Sequence, residues 1–385
     1  MQRAIALGGG GPAAGLHIGV LEGLAAANPK MKFDVWALSC IGAWVGIVYN
    51  QAEEGKELEQ TYDFFKNGVF RDDVSYSRFP VNTVFGPDWF GNARALTAFM
   101  ADPDNYKELW LPDRIMDAYK ETISLLTDRA KWNEGDFNQW VLNHAFAANP
   151  FIRYLSSMMY LSNVTGLSRI YYPESTFMKA IKFERLYEKR KPTIIHNAWN
   201  LSKQKLELFS NRGSKYKPIT PASLCACSAL PFIEETVDID GDTYCEGALV
   251  DTVNFKSLID DFGKDLHEIW ISRIVDAKQV REPENLHDNL ANLCQLFAAT
   301  VGEDDVNLFK YHVKEDKTWK GTIVEIQVRS DIDFTWSHAN LDKGRSGGFA
   351  AAKEAYEVYM RETGGKKNTT GEVRIINEKK KDPDD

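Results

Sequence analysis

The chain has 385 residues, 44% of them hydrophobic and 12% aromatic, and a net charge of −9. That is enough apolar material for a large core, and it excludes an intrinsically disordered chain. The acidic balance argues against a nucleic-acid partner, because the basic runs Lys189-Arg190-Lys191 and Lys379-Lys380-Lys381 are short and each has an acid beside it.

No run of about 18 apolar residues occurs, so no membrane span is expected. A membrane surface is a possible partner that no basic amphipathic stretch indicates. Met1 to Leu7 runs straight into glycines and reads as a first buried strand, not a signal peptide. Five cysteines at 40, 225, 227, 245 and 294 make an odd number, which reads as free thiols in a reducing compartment and points to a cytoplasmic protein. Cys225-Ala226-Cys227 has the wrong spacing for zinc and the seven histidines are scattered, so neither a metal nor a cofactor is expected.

In chain order, residues 3–7 predict a buried strand, Gly8 to Gly11 a glycine loop, and residues 13–28 an apolar helix. Phe33 to Leu38 predicts a second strand, which delivers Ser39 and Cys40 to a sharp turn. A helix starting at Gly42 follows. This opening is that of an α/β fold with parallel strands, whose functional groups gather at the strands' C-terminal ends. A thiol at the N-terminus of a helix is expected to have its pKa lowered by the helix dipole.

Residues 55–190 read as a helical insertion, rich in aromatics and Met (Phe64, Phe70, Phe99, Trp110, Trp132, Trp140, Phe151, Tyr154 and Met158 to Tyr160). Collectively these residues leave room for an apolar pocket. Strand patterns return at 193–197, 206–210, 243–245, 268–272 and 321–328. Pro221 to Leu230 reads as a small-residue helix and 346–361 as a terminal helix. The expected organisation is one domain over 1–365 and a loosely held tail over 366–385.

The pattern Gly9-x-Gly11-x-x-Ala14 satisfies a degenerate dinucleotide fingerprint. The ribose-binding acid it requires is missing from the end of the second strand, because Asp34 stands at that strand's start. The better reading makes Gly9, Gly10 and Gly11 an oxyanion hole, since their N–H groups can converge beside Cys40 without side chains in the way.

Three blocks together resemble the patatin-like phospholipase family: Gly9-Gly10-Gly11 with Gly15-Leu16-His17-Ile18-Gly19, Phe33 to Ala43, and Ala226 to Pro231 followed by Tyr244 to Asp251. The resemblance covers about residues 1–55 and 190–275. It implies a three-layer α/β sandwich with a mostly parallel central sheet, helices on both faces and a Ser–Asp dyad acting on lipid acyl esters. This chain departs from that pattern. Cys40 falls on the serine, Glu246 on the aspartate, Leu38 on the elbow glycine, and Ala13-Ala14 on the Arg-Gly after the glycines.

The paired departures predict a Cys40 nucleophile with Glu246 as its base. A thiol ionises more readily than an alcohol, so a carboxylate alone can serve it. The expected substrate is an apolar acyl ester or thioester, from a lipid or a polyketide-like chain; the substrate-binding residues and the oligomeric state are not legible. Two alternatives stand beside the hydrolase: an acyltransferase on the same fold, and an inactive lipid-binding pseudoenzyme in which Cys40 is a small buried residue. Ser39 is a weaker nucleophile candidate, and His17, His144 and His196 are weaker base candidates. Cys225, Cys227 and Cys245 read as core thiols.

Overall fold

The computed structural model describes residues 1–78, 85–87, 89–106, 111–146, 152–155, 165–170, 176–273, 280–316, 319–328 and 332–378. Two compact units divide the chain, Pro87–Arg169 and the remainder.

The larger unit is built on a ten-stranded sheet. Its strands are β1 (Gln2–Leu7), β2 (Val35–Leu38), β3 (Thr193–Asn200), β4 (Lys205–Ser210), β5 (Lys217–Pro218), β6 (Val237–Ile239), β7 (Asp242–Glu246), β8 (Leu266–Arg273), β9 (Thr322–Gln327) and β10 (Arg374–Ile376). The order is β10-β9-β8-β1-β2-β3-β7-β6, with β4 paired to β3 and β5. From β10 to β3 every neighbour runs parallel; β7 returns antiparallel to β3.

Alternation along the strands creates three layers. Ile5, Leu7, Trp36, Leu38 and Trp270 face helices α1 (Ala14–Ala27), α2 (Ile41–Gln51) and α7 (His338–Thr363). Ala4, Ala6, Val35, Ala37, Ile269 and Ile271 face the opposite way, onto α5 (Phe255–Phe262) and α6 (Leu286–Asp316). A sheet covered on both faces needs such apolar residues at every position, as parallel sheets do. The remaining helices of this unit include α3 (Glu57–Gly68), which packs on α2, and the short α4 (Pro221–Ala226).

Three expectations change. The terminal helix begins at His338, not at 346, capped by the Ser337 side chain, which accepts from the Asn340 N–H. Gly344, Gly347 and Gly348 lie within this helix, and a Cβ at Gly348 would lie 2.1 Å from the Leu16 carbonyl oxygen. Close approach of α7 to α1 is what that glycine provides. The tail is also not loose as far as residue 378. β10 extends the sheet, and Asn368 donates to the carbonyls of Lys320 and Glu372. Finally, the 31-residue helix α6 has no counterpart in the sequence reading.

Pro87–Arg169 is helical, with Trp89–Ala101, Pro112–Thr127 and Glu134–Trp140. Phe99 meets Tyr154 edge-on at 5.7 Å, and Trp140 Nε1 donates to Thr122 Oγ1 at 3.0 Å. Ile115, Met116, Tyr119, Ile123 and Leu126 of its second helix are exposed. Trp110, Phe151 and Met158 to Tyr160 lie outside the described residues.

Candidate active site

The parallel register brings the functional loops together. Leu7 pairs with Leu38, so the glycine loop and the Ser39-Cys40 turn leave adjacent strands at the same level. Leu38 also pairs with His196 of β3, which places Ala198 level with Cys40. Ala198 is in turn the antiparallel partner of Glu246. Strand pairing alone therefore sets the carboxylate opposite the thiol.

Cys40 caps α2 with φ 46° and ψ −126°. For a residue other than glycine this conformation costs on the order of 1–3 kcal/mol, and such strain collects at functional sites. Gly42 permits the turn, since a Cβ there would lie 2.2 Å from the Leu7 carbonyl oxygen. Leu38 fits the elbow because Gly46, in the second turn of α2, leaves the space its methyl groups occupy; a Cβ at Gly46 would lie 2.6 Å from Leu38 Cδ1.

The Cys40 thiol, the Glu246 carboxylate and the Gly10 N–H lie close enough to act on one another electrostatically. Gly9 lies directly alongside: a Cβ there would be 3.0 Å from the Cys40 Cβ and 3.7 Å from Glu246 Oε1. Burial pushes the Glu246 carboxyl up to about 7, opposed by the thiol beside it. The expected lowering of the thiol pKa is reversed. Burial first, and then the Glu246 charge, push Cys40 well above its ordinary range, and the Gly10 N–H offsets this only in part. The resting pair is a neutral thiol against a carboxyl that ionises near neutrality.

The pair lies in the wall of a cavity of about 390 Å³. Gly9, Gly10, Gly11, Cys40 and Glu246 line it together with Trp44, Ser228, Leu230 to Glu234, Leu290, Leu293, Cys294, Phe297, Phe334 and Trp336. Among the described residues, none of the lining comes from 55–190, where sequence suggested the pocket. The wall is instead α6. Its Leu290, Leu293, Cys294, Phe297 and Ala298 repeat at spacings of three and four, a helical period present in the sequence and missed there.

The other candidates lie elsewhere. Ser39 is fully buried, and its hydroxyl donates to the Thr252 carbonyl. His17 has Nε2 2.9 Å from the Gly8 carbonyl oxygen and Nδ1 3.0 Å from Ser272 Oγ, while burial holds its pKa at about 4. The neutral ring thus donates to Gly8 and braces the glycine loop from behind. His196 is buried against Phe209 with Nε2 3.1 Å from Ser223 Oγ. His144 sits in Pro87–Arg169 beside Glu121, at 2.6 Å. Cys225, Cys227 and Cys245 are buried, and all five cysteines are free.

A mostly parallel α/β sheet thus brings a strained strand-to-helix turn at Cys40, the Glu246 carboxylate and a glycine loop to one place. Residues 5–259 match the family model described as patatin-like phospholipase, and the chain belongs to that family. No curated protein matches the chain. Among solved structures, the crystal structure of VipD from Legionella pneumophila is similar at 10% identity and a TM-score of 0.41. The match covers 92% of this chain and 66% of that one, so the chain spans about two thirds of VipD's length.

Proposed function

We propose that the chain is an acyl hydrolase in which Cys40 is the nucleophile and Glu246 its base. Cys40 and Glu246 side by side against Gly9, in the wall of an apolar cavity, carry this reading. The ionised carboxylate takes the thiol proton as sulfur attacks the acyl carbonyl carbon. The N–H groups of Gly9 to Gly11 receive the negative charge that develops on oxygen. Collapse expels the alcohol or thiol, which regains the proton from Glu246. Glu246 then removes a proton from water, whose attack on the thioester releases the acid and restores the thiol.

The lining favours an aliphatic acyl chain, since Leu290, Leu293, Phe297 and Phe334 offer no polar partner. An ester or a thioester of such a chain is the substrate class. Incubation with decanoyl and acetyl thioesters, followed by intact mass measurement, tests the reading. A transient adduct on Cys40 together with free acid supports hydrolysis; acyl transfer to an added acceptor, in preference to water, would assign a transferase. Lipid binding with no adduct from any donor would leave a binding module.

A further inference from the structure

We infer that Asn254 is a positioning residue that ties the nucleophile elbow to the segment following Glu246; this rests on the reading of Cys40 and Glu246 as a working pair. Asn254 adopts the left-handed conformation, φ 53° and ψ 33°, at the start of α5, and its side chain is buried. Its Nδ2 donates to the Leu38 carbonyl at 2.9 Å, and its backbone N–H donates to Asp251 Oδ1 at 2.7 Å. Its Oδ1 accepts from Asn197 Nδ2 at 2.9 Å. One side chain thus bonds both the elbow strand and β3, the strand against which Glu246 is paired.

The position explains the need. Ladder pairing of β2 ends at Leu38, and two residues later the backbone enters the strained conformation of Cys40. The Asn254 amide takes up the carbonyl where that ladder stops. The Ser39 hydroxyl adds a second tie to the same loop, through the Thr252 carbonyl. The loop is itself anchored to α6, because Thr252 donates from both N and Oγ1 to Asp305 Oδ2, at 2.7 and 2.8 Å. Without the Asn254 tie, the elbow relaxes and Cys40 moves away from Glu246.

Asn254→Gly tests this, since glycine accepts the left-handed backbone at no steric cost and removes only the amide. The readout is the rate of Cys40 alkylation by iodoacetamide between pH 6 and 9, followed by peptide mass spectrometry, beside acyl turnover. The expected result is a folded variant whose alkylation profile moves to lower pH, because the thiol leaves the Glu246 charge that raises its pKa. With it, kcat falls at least tenfold while KM stays within about twofold. A folded variant with the parent's profile and kcat would overturn the inference. Should Asn254→Gly not fold, Ser39→Ala removes the second tie alone, and the same shift, smaller in size, is expected; no shift there overturns it equally. If the parent turns over no acyl donor, the hydrolase reading fails, but the alkylation profiles still decide whether Asn254 holds Cys40 to Glu246.

Discussion

Gly46 and Leu38 are complementary: the leucine fills the volume that a Cβ on Gly46 would take, 2.6 Å from its Cδ1. Leu38 stands where an elbow ordinarily carries glycine, so the small residue has in effect moved from the strand to the helix it faces. Gly46→Ala is expected to destabilise the fold by about 1–3 kcal/mol through overpacking. Leu38→Ala alone should cost about 2–5 kcal/mol through the cavity it leaves. Urea unfolding of both single variants and the double variant checks the coupling; a double variant less destabilised than the two losses summed is the expected outcome.

With Glu246 as the proposed base, a pH dependence follows. Below about 7 the Glu246 carboxyl holds its proton and cannot accept one from Cys40. Activity is therefore expected to rise with pH through that value, and Glu246→Gln should lose the rise along with most of kcat. A pH–rate profile of the parent with no inflection near neutrality would contradict this assignment.

Stability moves the other way. The folded state keeps the Glu246 proton up to about 7, while the unfolded carboxyl releases it near its ordinary value. The group's contribution is complete below about pH 4 and is lost as pH rises through 7. Glu246→Gln carries no such loss. Thermal melts should show the variant more stable than the parent at pH 8, by at most on the order of 3 kcal/mol, and equal to it at pH 4.

Chain-length preference is assigned to α6. Leu293 and Phe297 line the cavity one helical turn apart. Leu293→Ala and Phe297→Ala should each lower kcat/KM for a ten-carbon acyl thioester about tenfold, the worth of roughly two buried methylenes. Turnover of the acetyl thioester, which offers no chain for these side chains to hold, serves as the comparison and should fall much less. Equal losses on both donors would place the acyl chain elsewhere.

Much of the fold was legible because its signals are local. The glycine loop, the strand before Cys40 and the turn at Glu246 are contiguous motifs in a fixed order. Their meeting in space depends on parallel pairing, which α/β patterning implies. Leu38 was legible only as an anomaly, since its compensation at Gly46 appears once strand and helix are packed. The thiol's pKa was misjudged for a related reason: the helix dipole is readable from sequence, whereas full burial beside a carboxylate is not, and burial dominates. The α6 wall went unread despite its period, because the polar and acidic residues around Gly302 to Asp305 masked a continuous helix. The start of α7 at His338 was not legible, because the use of Gly348 for close packing on α1 appears only once the two helices meet.

Cys40 is proposed to form a covalent acyl intermediate with Glu246 as its base. Intact and peptide mass spectrometry after rapid mixing with a decanoyl thioester tests it most directly. A transient decanoyl adduct on the Cys40 peptide is expected, absent in Cys40→Ala and slowed at least a hundredfold in Glu246→Gln, on the scale of general-base catalysis. Acyl turnover retained in Cys40→Ala would contradict it.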